Sequence, residues 1–216
     1  MIKTELFEQV DFQENPLYEK IIDDLLTKQY SIVDSFFSAT EVEVLRSSLL
    51  QKYNDEEFKK AAIGNRTNET IIKSIRGDFI HWINEKEANT AECLFFGIMN
   101  TLVDYLNRTC FLGILFKEFH YAIYPKGTFY KRHLDTFMND DRRKLSFVCY
   151  LNDENWDNAN GGELVIYLNK DGQEVSEVIY PLPGRVVIFE SQLLEHEVKP
   201  VLANERYSIT GWLKTR

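Results

Sequence analysis

Apolar residues change rhythm once along this chain. Up to about Arg108 they recur at helical spacing: Leu17, Ile21, Ile22, Leu25 and Leu26 predict a helix near 15–29. Val42, Val44, Leu45 and Leu49 predict a second helix that Ser38 or Thr40 can cap, and a third fits 91–107. The stretch 30–37 between the first two reads as a short strand. The polar stretch 54–76, with Gly64-Asn65, is expected to be a mobile excursion, either simply disordered or closing over a ligand. From Phe111 onward the period falls to two, in runs at 111–124, 145–151, 163–168, 174–180, 185–190 and 206–213. Turn residues separate them: Pro125-Lys126-Gly127, Asn160-Gly161-Gly162, Lys170-Asp171-Gly172 and Pro183-Gly184. The pattern predicts an α+β chain, mostly β in its core, built as a sandwich or barrel with the earlier helices on one sheet. It is expected to form one domain over 1–216, with helical support at about 1–108 and the β core at about 109–216.

Composition narrows this picture. The 216 residues are 44% hydrophobic, and a chain of that length buries ~70% of its unfolded surface without metal or disulfide staples. Any metal site is therefore expected to be functional. Lys plus Arg number 25 against 34 Asp plus Glu, and the resulting charge of −9 opposes nucleic acid and anionic membranes as partners. The three cysteines, Cys93, Cys110 and Cys149, are expected to be reduced core thiols, because each has apolar neighbours and their number is odd. No apolar run followed by small residues follows Met1-Ile2-Lys3-Thr4-Glu5, and no stretch approaches ~20 apolar residues. The expected setting is the cytoplasm.

Some polar residues lie where strands should be apolar. His133 and Asp135, with Lys131, would share one face of an extended segment, where an imidazole and a carboxylate two apart can grip one ion. Alone the pair is weak: with 4 His and 13 Asp in the chain, a His-Xaa-Asp arises by chance about one time in four. His196 after a later strand and Arg206 at the start of the last one give it context. In that last strand Tyr207, Ile209 and Leu213 would face one way, and Arg206, Ser208, Thr210 and Trp212 the other. Leu145, Phe147, Cys149 and Leu151 similarly make a core face opposite Ser146, Val148 and Tyr150. The polar faces admit two readings, solvent or the lining of an internal pocket. Two His and one carboxylate can hold Fe(II) on three neighbouring positions and leave three open, whereas a structural zinc site would be closed by four ligands. An open Fe(II) can accept a 2-oxo acid and then dioxygen, and Arg206 suits the far carboxylate of a dicarboxylic one. His81 and His120, with no carboxylate at metal spacing, read as packing or surface residues.

These residues resemble the Fe(II)- and 2-oxoglutarate-dependent oxygenases, and within them the prolyl 4-hydroxylases of the EGL-nine type and their microbial relatives. The likeness rests on Tyr130-Lys131-Arg132-His133-Leu134-Asp135, Asp141-Arg142-Arg143, Cys149-Tyr150-Leu151-Asn152, Trp156-Asp157, Gly161-Gly162-Glu163-Leu164 and Arg206-Tyr207-Ser208-Ile209-Thr210-Gly211-Trp212. The arm Ile75-Arg76-Gly77-Asp78-Phe79-Ile80-His81-Trp82-Ile83 points to prolyl hydroxylases in particular. The resemblance implies a double-stranded β-helix, or jelly roll, with His133, Asp135 and His196 as catalytic iron ligands. It implies Arg206 on the distal carboxylate of 2-oxoglutarate with the Tyr150 hydroxyl, Tyr124 near the chelating end, and Thr210 and Leu164 lining the same pocket. Arg76, Asp78, Arg143 and Trp212 would border the substrate. The implied reaction hydroxylates a prolyl residue of a protein or peptide, with Fe(II), 2-oxoglutarate, O2 and ascorbate as reductant, giving succinate and CO2. A monomer is expected. The chain ends four residues after Trp212, without room for the carboxy-terminal helix that animal members use, which leaves substrate choice open. The same chemistry on another side chain or a free amino acid, and a non-catalytic sensor on the same fold, are the alternatives.

Overall fold

The computed structural model describes residues 13–61, 75–136 and 142–215. Most of the expected 54–76 excursion, and Asp141 of the quoted motif, lie outside them. The chain opens with helix α1 (Pro16–Lys28), strand β1 (Tyr30–Val33), α2 (Ala39–Asn54), β2 (Lys59–Lys60), β3 (Phe79–Ile83) and α3 (Thr90–Cys110). Eight strands follow: β4 (Phe116–Tyr124), β5 (Tyr130–His133), β6 (Arg143–Tyr150), β7 (Leu164–Lys170), β8 (Gln173–Ile179), β9 (Val186–Glu190), β10 (His196–Val198) and β11 (Arg206–Lys214). Local chemistry sets the helix starts. Asn15 caps α1 ahead of Pro16 at its first position, and capping boxes pair Ser38 with Glu41 and Asn89 with Glu92. Phe111 ends α3 in the left-handed region, and the Asn107 side chain then bonds both backbone groups of Ile114, so β4 begins at Phe116 and not at 111.

The strands form two antiparallel sheets. The larger has the order β1-β9-β6-β11-β4-β3-β2, and the smaller β5-β10-β7-β8. β11 sits at the middle of the larger sheet, paired with β4 on one side and β6 on the other. Its alternation decides the architecture. Ile209 and Leu213 join Phe119, Phe147, Cys149 and Ile188 in the main core, which the three helices cover with Ile21, Leu45, Phe95 and Met99. Phe95 packs edge-on against Phe119 at 4.9 Å and Phe147 at 6.0 Å, fixing α3 to the sheet. The opposite face of the large sheet meets the small sheet through Val148, Tyr150, Val187 and Phe189 against Leu164, Ile166 and Leu168. This is the double-stranded β-helix arrangement, and the polar strand face is internal.

The structure corrects three expectations. The boundary near residue 108 does not separate helices from sheet, since β1, β2 and β3 complete both ends of the large sheet. Of the cysteines only Cys149 is buried; Cys93 is exposed and Cys110 partly so, though all three are free thiols. In a helix, apolar sequence neighbours do not imply burial, because each step turns the side chain by about 100°. Strand β5 stops at His133, and Asp135 reaches the same site from the bend that follows, while Lys131 points to solvent.

At the other end of the molecule Asp24 ties α1 to β1. Its carboxylate accepts from Lys20 and Lys28, both at 2.7 Å, and from the buried Ser31 hydroxyl at 2.9 Å. Burial opposes ionisation, but these donors outweigh it and bring the pKa from 3.8 to about 2. A depressed carboxylate pKa stabilises the fold above the unfolded value and loses that contribution as pH falls through the folded one. The lysines are 53% and 55% exposed, so solvent screening leaves on the order of 1 kcal/mol. Asp24→Asn is expected to lower stability by that amount at pH 7, with the gap to wild type closing between pH 4 and pH 2 in urea titrations.

Candidate active site

The two histidines meet through strand register. His196 on β10 is the direct cross-strand partner of His133 on β5, which brings their rings to 4.3 Å between centroids. His133 Nδ1 lies 2.7 Å from the Lys131 carbonyl, and His196 Nδ1 lies 3.2 Å from that of Leu194. A carbonyl only accepts, so each Nδ1 carries the proton and each Nε2 keeps a free lone pair. Those Nε2 atoms converge on Asp135, His133 at 3.5 Å from Oδ1 and His196 at 3.6 Å from Oδ2. The three donor atoms lie within 4.8 Å of one another, the one such set among the described residues.

The electrostatics suit a cation. Burial pushes the His196 pKa down to about 4, against the attraction of Asp135, so the ring is neutral at pH 7. Burial likewise opposes charge on Asp135, but the two imidazoles and the Ser146 hydroxyl outweigh it and hold the carboxyl well below the usual range. Ser146 Oγ donates to Oδ2 at 2.6 Å and lies 2.8 Å from Ser191 Oγ. Tyr130 stacks on His133 at 3.6 Å, and Phe189 meets His196 edge-on. Two inward-facing imidazole Nε2 atoms and an ionised carboxylate are the donor set that a divalent metal needs.

Deeper in the same cavity lies Arg206, 2% exposed. Its guanidinium sits 4.9 Å from the rings of both Tyr124 and Tyr150, and it donates to Ser208 Oγ at 3.3 Å. No carboxylate pairs with it among the described residues, and its Nε and the Tyr150 hydroxyl are sealed without a hydrogen-bond partner. A buried charge is costly unless paired. Arg206 is thus a fixed cation awaiting an anion, and the donor-rich space around it fits a carboxylate. Gly162 preserves the space: at φ +70° a Cβ there would approach Arg206 Cδ to 3.0 Å.

The cavity holding both groups has a volume of about 1080 Å³. His133, Asp135, His196, Arg206, Tyr124, Thr210, Leu164, Arg76, Arg143 and Trp212 all line it. Two expected residues are not among the lining residues. Asp78, 1% exposed, does not border the cavity; it clamps the Arg76 guanidinium through two bonds of 2.8 and 2.6 Å. Burial disfavours charge on Arg76, and Asp78 more than restores it, raising the pKa. Tyr150 is not among the lining residues but lies against Arg206, its ring 4.9 Å from the guanidinium.

At the mouth Arg143 donates to the Asp135 carbonyl at 2.8 Å and covers the Trp212 ring at 3.5 Å. His120 lies between Trp82 at 4.8 Å and Trp212 at 5.7 Å, so the packing expected of it occurs in the cavity wall. Burial and then the charge of Arg76 bring its pKa down to about 3. The sequence gives Trp82, Ser146 and Ser191 no individual role and reads His120 only as a packing or surface residue, although His120 shares a β4 face with Ala122 and Tyr124. His81, half-buried, lines the same cavity beside Glu57.

Known proteins resemble this chain in sequence and fold. The model of the 2OG-Fe(II) oxygenase superfamily matches residues 119–214. Rat Egl nine homolog 1 is 31% identical over 191 residues, covering 84% of this chain and 54% of that protein. The chain spans about half the length of the curated Egl nine relatives it matches. A Pseudomonas putida prolyl-4-hydroxylase structure superimposes with a TM-score of 0.81 at 37% identity, covering 92% of this chain and 99% of that one. A Trichoplax adhaerens prolyl hydroxylase, solved with a peptide fragment of the hypoxia inducible factor oxygen degradation domain, gives 0.80 at 28% identity, with 92% and 89% covered. With a His-Asp-His donor set and an unpaired arginine in one β-helix cavity, and relatives matched along most of its length, the chain belongs to the 2OG-Fe(II) oxygenase superfamily.

Proposed function

We propose that this protein is a prolyl hydroxylase acting on a proline of a protein or peptide. The observation that carries the reading is the unpaired, buried Arg206 in the same cavity as the His133, Asp135 and His196 donors. A metal site alone would fit many reactions; a metal site with a buried counter-charge for a dicarboxylate fits a 2-oxoglutarate-dependent one. The prolyl target is supported by likeness to the Pseudomonas and Trichoplax enzymes, the latter solved with a peptide.

In this reading His133, Asp135 and His196 would hold iron. Bound iron and 2-oxoglutarate would supply the oxygen chemistry, inserting one atom of O2 into a prolyl C–H bond and the other into succinate as CO2 leaves. Arg206 pairs with the distal carboxylate of 2-oxoglutarate, and the Tyr150 hydroxyl adds a donor beside it. Tyr124, Thr210 and Leu164 shape that pocket. Burial holds the Tyr124 phenol above its usual pKa, so it stays protonated and can donate. Arg76, Arg143 and Trp212 border the peptide, and Asp78 keeps Arg76 aimed. The closely packed rings of Tyr130 and Phe189 keep water from the oxidising centre. Ascorbate serves as reductant, and the working form is a monomer in the cytoplasm.

Incubation with Fe(II), 2-oxoglutarate, ascorbate and proline-containing candidate proteins is expected to give succinate and a +16 Da mass on proline. Modification of another residue type in every candidate would redirect the reading to that side chain. His133→Ala is expected to abolish succinate formation even without protein substrate. Arg206→Lys keeps charge but loses the planar fork, and should raise the KM for 2-oxoglutarate by about 10- to 100-fold. Turnover unchanged in both variants would place the reaction elsewhere.

A further inference from the structure

Asp135 has two carboxylate oxygens, and the structure treats them differently. Oδ2 accepts the Ser146 hydroxyl at 2.6 Å, the length of a charge-assisted bond. Each oxygen also has one histidine Nε2 nearby, His133 at 3.5 Å from Oδ1 and His196 at 3.6 Å from Oδ2, so the difference between them is that Oδ1 has no hydroxyl donor among the described residues. Behind Ser146, at 2.8 Å, stands Ser191 Oγ, the residue after β9. Both serines are essentially sealed, at 1% and 0% exposure. The Ser191 backbone is itself anchored, its N–H donating to the Lys144 carbonyl at 3.2 Å.

The direction of this chain follows from donor and acceptor counting. An ionised carboxylate only accepts, so the single Ser146 proton is committed to Asp135. Ser146 can then only accept from Ser191, and the Ser191 hydroxyl must donate. Two hydroxyls aligned this way polarise each other towards the carboxylate. Two serines that merely satisfied one another would leave no proton aimed at Asp135. We propose that Ser191 is a positioning residue for the metal site: acting through Ser146, it fixes the rotation of the Asp135 carboxylate so that Oδ1 is the oxygen offered to the ion. The inference rests on reading His133, Asp135 and His196 as metal ligands. It adds that a residue without contact to the ligand set controls how one ligand binds. Partners of metal ligands of this kind are worth about 10- to 100-fold in affinity when removed.

The test titrates the metal-stripped full chain with Mn(II), following free ion by electron paramagnetic resonance, with thermal melting as the folding control. Ser146→Ala is expected to raise the Mn(II) Kd about 10- to 100-fold, and Ser191→Ala by a smaller factor of about 3 to 10. Because Ser191 acts through Ser146, the double variant should bind no more weakly than Ser146→Ala alone, a non-additivity that a packing role would not produce. Ser191→Thr, which keeps the hydroxyl, should restore affinity. Ser191→Ala binding Mn(II) within twofold of wild type would overturn the proposal, as would an additive double variant. Should Ser146→Ala fail to fold, the contrast of Ser191→Ala with Ser191→Thr decides alone: equal affinities overturn it. Failure of the underlying reading looks different: wild type would not bind Mn(II), or His133→Ala would bind it equally well, and the proposal would fall with it.

Discussion

A guanidinium buried without a counter-ion is the constraint on which the rest of this structure turns. Arg206 stands at the first position of β11, in the middle of the larger sheet, where desolvating a charge is most expensive. Two tyrosine ring faces and one serine hydroxyl offset part of that cost. They do not neutralise the charge. A fold that keeps such a group in its interior, with the Nε and the Tyr150 hydroxyl left unpartnered beside it, has surrendered stability at a binding site.

That surrender is possible because β11 divides its work between two faces. Tyr207, Ile209 and Leu213 belong to or pack against the core closed by three helices, so the strand is held firmly from one side. Its other face is then free to carry Arg206, Ser208, Thr210 and Trp212 into the cavity. The same division appears on β4, with Phe119, Tyr121 and Ile123 in the core and His120 and Tyr124 in the cavity wall. On β6 it places Phe147 and Cys149 in the core opposite Ser146 and Val148. The helices contribute nothing to the cavity lining, yet without them the lining strands would have no rigid back.

Strand alternation made most of this legible before any coordinates. The six predicted runs lie within about five residues of β4, β6, β7, β8, β9 and β11, whereas the short β5 and β10 have no run of their own; the Ser38 cap is as expected, and the polar faces gave up Arg206, Thr210 and Trp212. What alternation cannot express escaped. Asp135 was placed by the two-residue rule, yet it arrives from a bend past the end of β5, where the rule no longer applies. β3, with the run Phe79-Ile80-His81-Trp82-Ile83, has apolar residues on both faces because one face meets the core and the other the cavity mouth, so no alternation marks it as a strand. Ser146 and Ser191 are far apart in sequence and ordinary in composition; only the pairing of β6 with β9 brings their hydroxyls together.

The layout of the cavity also fixes an order of entry on the proposed reading. Arg206 is almost inaccessible at the inner end, whereas Trp82, 48% exposed, lies at the mouth between β2 and β4. The donor set of His133, Asp135 and His196 lines the same cavity, with His133 part-exposed and His196 buried. On the proposed reading a small dicarboxylate on Arg206 would sit at the buried end of the cavity, and a peptide held against Trp82 at its exposed end. That difference in exposure favours entry of the small ligand first. The depth of Arg206, which makes its charge expensive to bury, is also what places the cosubstrate first.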